Sequence, residues 1–578
     1  MKNALLILMF PIFIMGASML AWNHSALNNY QPAGLTFAGE NTTISCSPLS
    51  QRAIDTLNNG KFIIALPGWG SYSYHISTNN DSAQFYFNQG LTMYYSYHQK
   101  EAEASFKEAA RFDPASPMVY WGQALSIGPG YNSAHLYKKP EYAPEVIQLM
   151  NQNIGSASEK EKQLIEAMNR RYPADTSDTQ RAAFNSDYAG ALYELVTLYP
   201  GDQDIKALYI DAVMLIHPWN FWNNDGSPKA WTPELVKLCE FILKQNARHP
   251  AALHYYIHIT EASRHPEVAL PGADLLKDLL PGVAHMVHMS SHEYERNGLF
   301  AKGVEANDKA DAALLRYDSL AKNLSLNKHI PHYFAVRAYC ALSGAMYTTG
   351  MNDALSCRNS VAPVYEKTYD QYLYMMPVLT QVRMGKWKEI LKDRQEPDTH
   401  WSYASLLNDF ARGMASVYTG HNDSATRYLL QLKGKSKDPI LENRRIPFNK
   451  PSQGALIAEK ILNSAILFSQ KKYDLAIVSL KAAIRAEDSL VYTEPKDWLI
   501  PARQFLGAYL LKMGKPVAAE KVYREDLIWN PGNGWSYLGL CQSLKAQHKT
   551  KNLSAYRAKY LQAFSNAEQI PPGSVFIK

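Results

Sequence analysis

The sequence predicts an all-α protein built from repeated helical hairpins and preceded by an irregular N-terminal segment. The chain has 578 residues, more than one ordinary core accommodates, so several domains or an extended repeat array are expected. Its composition, 46% hydrophobic and 19% charged, is typical of a folded protein rather than a disordered one. Small, aromatic and proline residues also recur at the spacing of paired helices, which favours the array.

The N-terminus has the features of a targeting segment. Lys2 is followed by an apolar run at 4–22, and the small residues at 16–18 match a signal-peptide cleavage site. The run is also just long enough to span a bilayer, although Pro11 interrupts it. Residues 1–22 are therefore predicted to be a signal peptide or an N-terminal anchor. We expect an exported protein of the periplasm or cell envelope, which meets the membrane only through an uncleaved N-terminal segment.

Residues 23–80 are predicted to form an irregular leader strapped onto the first helices. They are rich in Asn, Ser, Thr and Gly, and they contain one β-prone stretch at 61–66. The helical patterns begin only after this segment.

Cysteine and charge exclude several classes of protein. The five cysteines are odd in number and lack C-x2-C spacing, which argues against a disulfide framework or a thiolate zinc site. At most, Cys340 and Cys357 could form a disulfide, and buried free thiols are the favoured interpretation. The net charge of +6 is spread without a basic run, so no nucleic-acid partner is expected.

A recurring set of small, aromatic and proline residues marks the hairpins. The clearest units contain Gly90, Ala102, Phe106, Ala109 and Pro114, then Gly507, Ala519, Tyr523 and Pro531, followed by Trp535, Leu538 and Gly539. These residues resemble the tetratricopeptide repeat, a helix–turn–helix of about 34 residues with the pattern W-x2-L-G-x2-Y…A-x3-F…P.

The resemblance implies a superhelical solenoid whose first helices line a concave groove. Solenoids of this family use that groove to bind partners, here a protein, a peptide or a small molecule. The resemblance also divides the chain into N-terminal repeats at 81–250, histidine-rich repeats at 251–350 and C-terminal repeats at 351–578.

Two segments of the middle region share one pattern of histidines and a glutamate. His254-x3-His258-x2-Glu261 recurs as His288-x3-His292-x2-Glu295, with every position shifted by 34 residues. Because residues at i, i+4 and i+7 share one face of a helix, each set forms a stripe. The repeat resemblance implies that both stripes lie on the concave side of neighbouring helices.

Histidine is concentrated in this region. Six of the 17 histidines in the chain fall between positions 254 and 292: His254, His258, His265, His285, His288 and His292. Imidazole is the commonest protein ligand of copper, zinc and iron, and a carboxylate often completes such a set. The alternative is that these histidines hydrogen-bond one another or a bound peptide.

The pattern therefore predicts a transition-metal site, with copper, zinc or iron as the cofactor. The expected ligands are His254, His258, Glu261, His288 and His292, with His285 as a ligand or a support for one. Additional candidates are Glu295, His329 and His332.

An aromatic turn upstream suggests a pocket beside the metal. Trp219 and Trp222 lie in this turn and Tyr255 follows His254, so the three are candidate pocket walls. Packing of the tryptophans between repeats is the favoured alternative.

The histidine-rich block also resembles one in predicted exported bacterial repeat proteins. The similar features are His285-x2-His288-Met289-x2-His292 and an upstream His-Tyr-x2-His like His254 to His258. Those relatives often have Pro where Ser290 stands. This resemblance supports the site but implies no particular reaction.

Three functions remain open at this point. The first is a metalloprotein, oxidative or hydrolytic if it is an enzyme, and the second is a non-catalytic scaffold that binds a peptide, glycan or envelope protein. The third, of less weight, is metal storage or delivery without chemistry. The chain has no His-Glu-x2-His helix, no phosphate-binding Gly-x4-Gly-Lys-Ser/Thr loop and no Gly-x-Ser-x-Gly turn.

Overall fold

The computed structural model describes residues 54–132, 137–173, 178–326, 330–446 and 448–577. These residues form twenty-six α-helices and three short 3-10 helices, and in these ranges β structure is limited to two isolated bridges. The predicted all-α fold class is therefore confirmed. The predicted signal or anchor at 1–22 and His329 lie outside the described residues. No helix in the described ranges combines the length and the apolar character needed to cross a membrane.

The helices follow one another in short antiparallel pairs. The first half contains α1 Asp81–Tyr95, α2 Gln99–Phe112, α3 Pro117–Ser126, α4 Ala143–Gln152, α5 Glu159–Arg171, α6 Arg181–Leu198, α7 Gln203–Ile216, α8 Thr232–Gln245, α9 Pro250–Thr260, α10 Leu270–Leu279, α11 Ala284–Arg296, α12 Phe300–Leu320 and α13 Pro331–Ser343. The second half contains α14 Tyr347–Asn359, α15 Thr368–Tyr374, α16 Met376–Arg383, α17 Trp387–Lys392, α18 Ser402–Thr419, α19 Asn422–Lys435, α20 Ile440–Asn443, α21 Pro451–Ser469, α22 Tyr473–Asp488, α23 Ala502–Lys512, α24 Pro516–Trp529, α25 Gly534–Ala546 and α26 Leu553–Ala563.

Each hairpin packs against the next and builds a solenoid. Helices pair as α1 with α2, α11 with α12, α13 with α14, α18 with α19, α21 with α22 and α23 with α24. First helices also contact the first helices of neighbouring hairpins, as α9 does α11 and α11 does α13. Because each hairpin buries its apolar face only against neighbours, the core is continuous along the stack.

The small residues of the repeat pattern allow close approach between helices. A Cβ added to Gly90 would lie 2.8 Å from the Phe106 ring, and one added to Gly539 would lie 2.2 Å from the Tyr523 ring. Both distances are too short for carbon atoms, so only glycine fits opposite the aromatic ring. This contact explains why the sequence pattern couples a glycine to an aromatic residue.

The part of the leader that the structure describes, 54–80, runs along the first hairpins without a helix or strand. The β-prone stretch at 61–66 is held instead by side chains, as the Leu66 N–H donates to Gln89 Oε1 at 2.8 Å. Farther on, the Gly282 N–H donates to the Gly68 carbonyl at 2.9 Å. The leader therefore reaches as far as the helices that carry the histidines.

The cysteines in the described residues do not pair. Cys239, Cys340, Cys357 and Cys541 are free and buried, so the considered Cys340–Cys357 bond is absent. Cys46 lies outside the described residues.

Candidate metal centre

The candidate centre is built on α9, α11 and α13, the first helices of three successive hairpins. His254 and His258 lie on α9 with Glu261 at its end, His285, His288 and His292 on α11, and His332 on α13. None of these side chains is more than 4% exposed. Side-by-side packing of the three helices brings the stripes together in the interior.

His254, His258 and His285 form the first histidine group. One ring nitrogen of each lies within 4.8 Å of the others, and the Nε2 atoms of His254 and His285 are 3.0 Å apart. The Tyr97 ring lies over the group, 4.4 Å from His254 and 5.5 Å from His285 between ring centroids. Tyr97 has a left-handed φ of 58° in the turn between α1 and α2. A strained backbone thus directs this ring at the imidazoles.

His288, His292 and His332 form the second histidine group. Their facing nitrogens also lie within 4.8 Å of one another. The ring centroid of His288 lies 4.7 Å from that of His292 and 4.9 Å from that of His332. Tyr333 stacks on His288 at 4.3 Å. Each group therefore consists of three imidazoles covered by a tyrosine ring.

Two carboxyl groups lie between the histidine groups. Glu261 and Glu494 form a third cluster with His258, again within 4.8 Å. His292 approaches the same carboxyls, with Nδ1 3.8 Å from Glu261 Oε2 and Nε2 3.3 Å from Glu494 Oε2. Glu494 belongs to the connection between α22 and α23, far along the chain. The carboxyls thus contact members of both groups, as the bridging ligands of a two-metal site do.

Three imidazoles are fixed by an acceptor at Nδ1. His254 Nδ1 lies 2.7 Å from the Tyr95 carbonyl, and His258 Nδ1 lies 3.2 Å from Glu261 Oε1. His288 Nδ1 lies 2.7 Å from Asn307 Oδ1. An acceptor at Nδ1 places the proton there and leaves a lone pair at Nε2. The Nε2 atoms of His258 and His288 have no hydrogen-bond partner among the described residues, whereas that of His254 lies against His285 Nε2. Metal-binding histidines are oriented by carbonyl and carboxylate partners of this kind.

Several buried nitrogens have no hydrogen-bond partner among the described residues. They are Nε2 of His258 and His288, Nδ1 of His285 and His332, and both ring nitrogens of His292. Each unsatisfied buried group costs about 1–3 kcal/mol, and a bound cation would offset that cost. Burial lowers the pKa of His258 to about 4 and that of His288 to about 3, so both are neutral at pH 7, the form that binds metals.

The two carboxyls are destabilised as anions in the absence of a cation. Burial raises the pKa of Glu261 to about 8. Burial also raises the pKa of Glu494 well above its usual range, and the facing Glu261 raises it further. A donor set of imidazoles with two carboxylates suits zinc, copper or iron and disfavours calcium, which prefers oxygen ligands.

Comparison with known proteins gives no matching protein-family model and no matching curated protein. Similar solved structures include the human IFIT1 dimer with m7Gppp-AAAA, at 12% identity over 78% of this chain and 91% of that chain, with a TM-score of 0.31. The human IFIT1 dimer with PPP-AAAA aligns at 11% identity over 85% of this chain and 92% of that one, with a TM-score of 0.28. Likenesses this weak carry no argument about ligands, so the expected absence of a nucleic-acid partner stays a prediction.

The predicted stripe on α11 is divided between two groups. His285 joins the α9 histidines, whereas His292 joins His288 and His332. The physical reason is the rise of the helix, since seven residues span about 10 Å and exceed the reach of one ion. The histidines predicted to form one transition-metal site therefore lie in two separate groups.

Other predicted residues lie apart from these groups. Glu295 is buried and keeps the register of Glu261, but it is in none of the three clusters found among the described residues. His265 points outward and contacts Glu267, with 79% of its side chain exposed. The stripes also do not line an open groove, because Tyr97 and the Glu494 connection cover them.

Two of the three predicted pocket-wall residues line a cavity. Trp219 and Trp222 line a cavity of about 390 Å³ beside Glu494. Tyr255 does not line it, since this side chain is fully buried and packs on Tyr97 and His254.

Sequence reasoning missed Glu494, Tyr97 and Asn307. Glu494 lies in a connection outside the repeat pattern, and the chain folds back to bring it to the histidines. Tyr97 lies in the tight turn between α1 and α2, outside both stripes, so no periodic pattern marks it. Asn307 was the easiest of the three to predict from the sequence, because it lies on α12, which pairs directly with the histidine helix α11.

Proposed function

We propose that this chain is an exported metalloprotein that holds two transition-metal ions, one in each histidine group. Glu261 and Glu494, which contact members of both groups, would bridge the ions or balance their charge. The observation that carries the proposal is the set of buried imidazoles whose Nδ1 atoms face acceptors while their Nε2 lone pairs have no hydrogen-bond partner. Zinc, copper and iron all suit this donor set.

The coordination favours a catalytic role. Three imidazoles leave a further position on a zinc ion, which a bridging carboxylate, water or substrate can occupy, whereas a structural site is closed by four fixed protein ligands. Copper or iron in the same position would support oxidative chemistry, and zinc would support hydrolysis. The chain's own part is to hold the imidazoles neutral and oriented and to exclude bulk water from them.

The test is elemental analysis of protein purified without an affinity tag. We expect about two equivalents of a transition metal, falling to about one or fewer in His258→Ala and in His292→Ala. His265→Ala is the matched control, because that histidine is exposed and outside the groups. Circular dichroism checks that each variant folds. Folded wild-type protein that is metal-free and does not take up added zinc, copper or iron would rule out the proposal.

A second candidate function is a scaffold without a reaction. It is favoured by apolar side chains on the second helices of the C-terminal hairpins. Leu475 and Val478 on α22 and Val517 and Ile528 on α24 are each more than half exposed. Exposed apolar residues in one region often indicate a protein-binding surface. A scaffold would keep its partner after the metal is removed with a chelator, whereas a metalloenzyme would lose its activity.

A further inference from the structure

A cavity of about 390 Å³ adjoins the proposed metal centre. Its wall is formed by the turn after α7, the segment after α9, the connection between α22 and α23, and the end of α24. This size is within the usual range for sites that bind one small molecule. The ligand assigned to this cavity below rests on the metal centre proposed above.

The inner end of the cavity lies next to the carboxyl groups of the centre. Thr493, which lines the cavity, directly precedes Glu494. Trp219 also lines it and packs on Tyr131 at 4.5 Å, and Tyr131 in turn packs on His258 at 5.1 Å. Two side chains, those of Trp219 and Tyr131, therefore separate a molecule in the cavity from His258.

The cavity carries an excess of positive charge. Arg264, Arg296 and Lys496 line it, and none of them forms an ion pair among the described residues. Arg296 donates instead to backbone carbonyls, from Nε to Glu261 at 2.9 Å. The acidic lining is partly neutralised, because Asp488 is bound by Arg503 at 2.7 Å.

Arg264 is the best-placed cation for an anionic ligand. Its guanidinium stacks on the Trp529 ring at 3.9 Å, and one N–H donates to the Asn224 carbonyl at 2.6 Å. Most of its five donors are therefore available in a plane fixed by the indole. A planar guanidinium with free donors recognises a carboxylate through two parallel hydrogen bonds.

Flat aromatic walls face the same space. Trp219, Trp222, Tyr492 and Trp529 all contribute to the lining. Trp222 is held by its Nε1–H, which donates to the Ile259 carbonyl at 2.7 Å. Trp529 is held by Arg264 at 3.9 Å and by Arg503 at 5.1 Å, so the faces left for a ligand ring are chiefly those of Trp219 and Trp222. Fixed indole faces bind flat rings and the apolar faces of sugars at low entropic cost.

We propose that this cavity, beside the metal centre, binds a small molecule that carries both a ring and a carboxylate. Arg264 binds the carboxylate, and the tryptophan faces hold the ring. Aromatic acids and sugar acids share this chemistry, so the experiment has one arm for each.

The test measures binding by calorimetry on the full chain, both metal-free and zinc-loaded. The probes are benzoate and glucuronate, with benzamide and glucose as neutral counterparts and phenyl phosphate as a different anion. We expect one carboxylate to bind at least tenfold more tightly than its neutral counterpart and than phenyl phosphate. Arg264→Gln should weaken that binding at least tenfold, whereas Arg427→Gln, an exposed arginine on α19 outside the lining, should not.

Several results would overturn this inference. They are the absence of binding by both carboxylates, equal binding of the neutral counterparts, tighter binding of phenyl phosphate, or wild-type affinity in Arg264→Gln. If the protein takes up no metal but binds a carboxylate through Arg264, the proposed metal centre is refuted and the proposed ligand is not. If the protein takes up metal but binds neither carboxylate, only the proposed ligand is refuted.

Discussion

At the scale of single residues, the acceptors behind the imidazoles are as informative as the imidazoles themselves. A backbone carbonyl, a carboxyl oxygen and an amide oxygen lie against the Nδ1 atoms of His254, His258 and His288. The amide of Asn307 is itself held, because its Nδ2 donates to the Gly303 carbonyl at 2.8 Å and so directs Oδ1 at His288. Any buried imidazole N–H needs an acceptor, so the distinguishing feature is the opposite nitrogen: Nε2 of His258 and of His288 has no hydrogen-bond partner among the described residues.

Asn307→Leu should weaken metal binding without unfolding the protein. The change removes the acceptor for the His288 Nδ1–H but keeps the branched shape of the side chain. Loss of such a partner typically costs 10–100-fold in metal affinity, on the order of 1–3 kcal/mol. Competition with a zinc chelator measures the affinity.

Asn307→Asp is the conservative control. It keeps an acceptor for His288, loses the bond to the Gly303 carbonyl and adds a carboxyl group, so its zinc affinity should be no weaker than that of the wild type. Equal affinity in the leucine variant would show that Asn307 does not orient a ligand.

At the scale of helices, the repeat register explains how distant residues meet. The shift of 34 residues between the two His/Glu stripes predicted neighbouring first helices, and α9 and α11 do pack together. The same register explains the glycine–aromatic contacts, since Gly507 and Gly539 both face the Tyr523 ring. Tyr523 cannot swing away freely, because its hydroxyl is hydrogen-bonded to Ser574 Oγ at 2.7 Å.

Gly539→Ala should therefore destabilise the C-terminal hairpins. The new methyl group would lie 2.2 Å from the Tyr523 ring, and overpacking of this kind costs about 1–3 kcal/mol. The midpoint of urea unfolding should fall accordingly.

Gly190→Ala is the matched control. Gly190 lies inside α6, and a Cβ there would meet nothing within 4 Å. Replacing a helical glycine of this type should raise stability by about 0.5–1 kcal/mol. If both alanine variants were equally stable, the glycine–aromatic contact would not be a determinant of packing.

At the scale of the whole molecule, the sequence predicted the parts of the centre that follow a period and missed those that do not. His254, His258 and Glu261 have counterparts one repeat later, so spacing alone was enough to find them. The division into two groups depends on helix rise and on the α13 histidine His332. Glu494 is brought in by tertiary folding of the later hairpins, which no local pattern encodes.

This long-range closure gives the centre its burial. The N-terminal turn with Tyr97 and the distant connection with Glu494 both cover histidines from the middle of the chain. A bound pair of ions would therefore link three regions of the solenoid that are far apart in sequence.

Anomalous diffraction from crystals of zinc-loaded protein, collected on both sides of the zinc absorption edge, tests the two-ion centre most directly. The account predicts two peaks, one bound by His254, His258 and His285 and the other by His288, His292 and His332. Zinc–nitrogen distances should be about 2.0–2.1 Å. Zinc found only at surface residues such as His265, or no peak within reach of either histidine group, would contradict it.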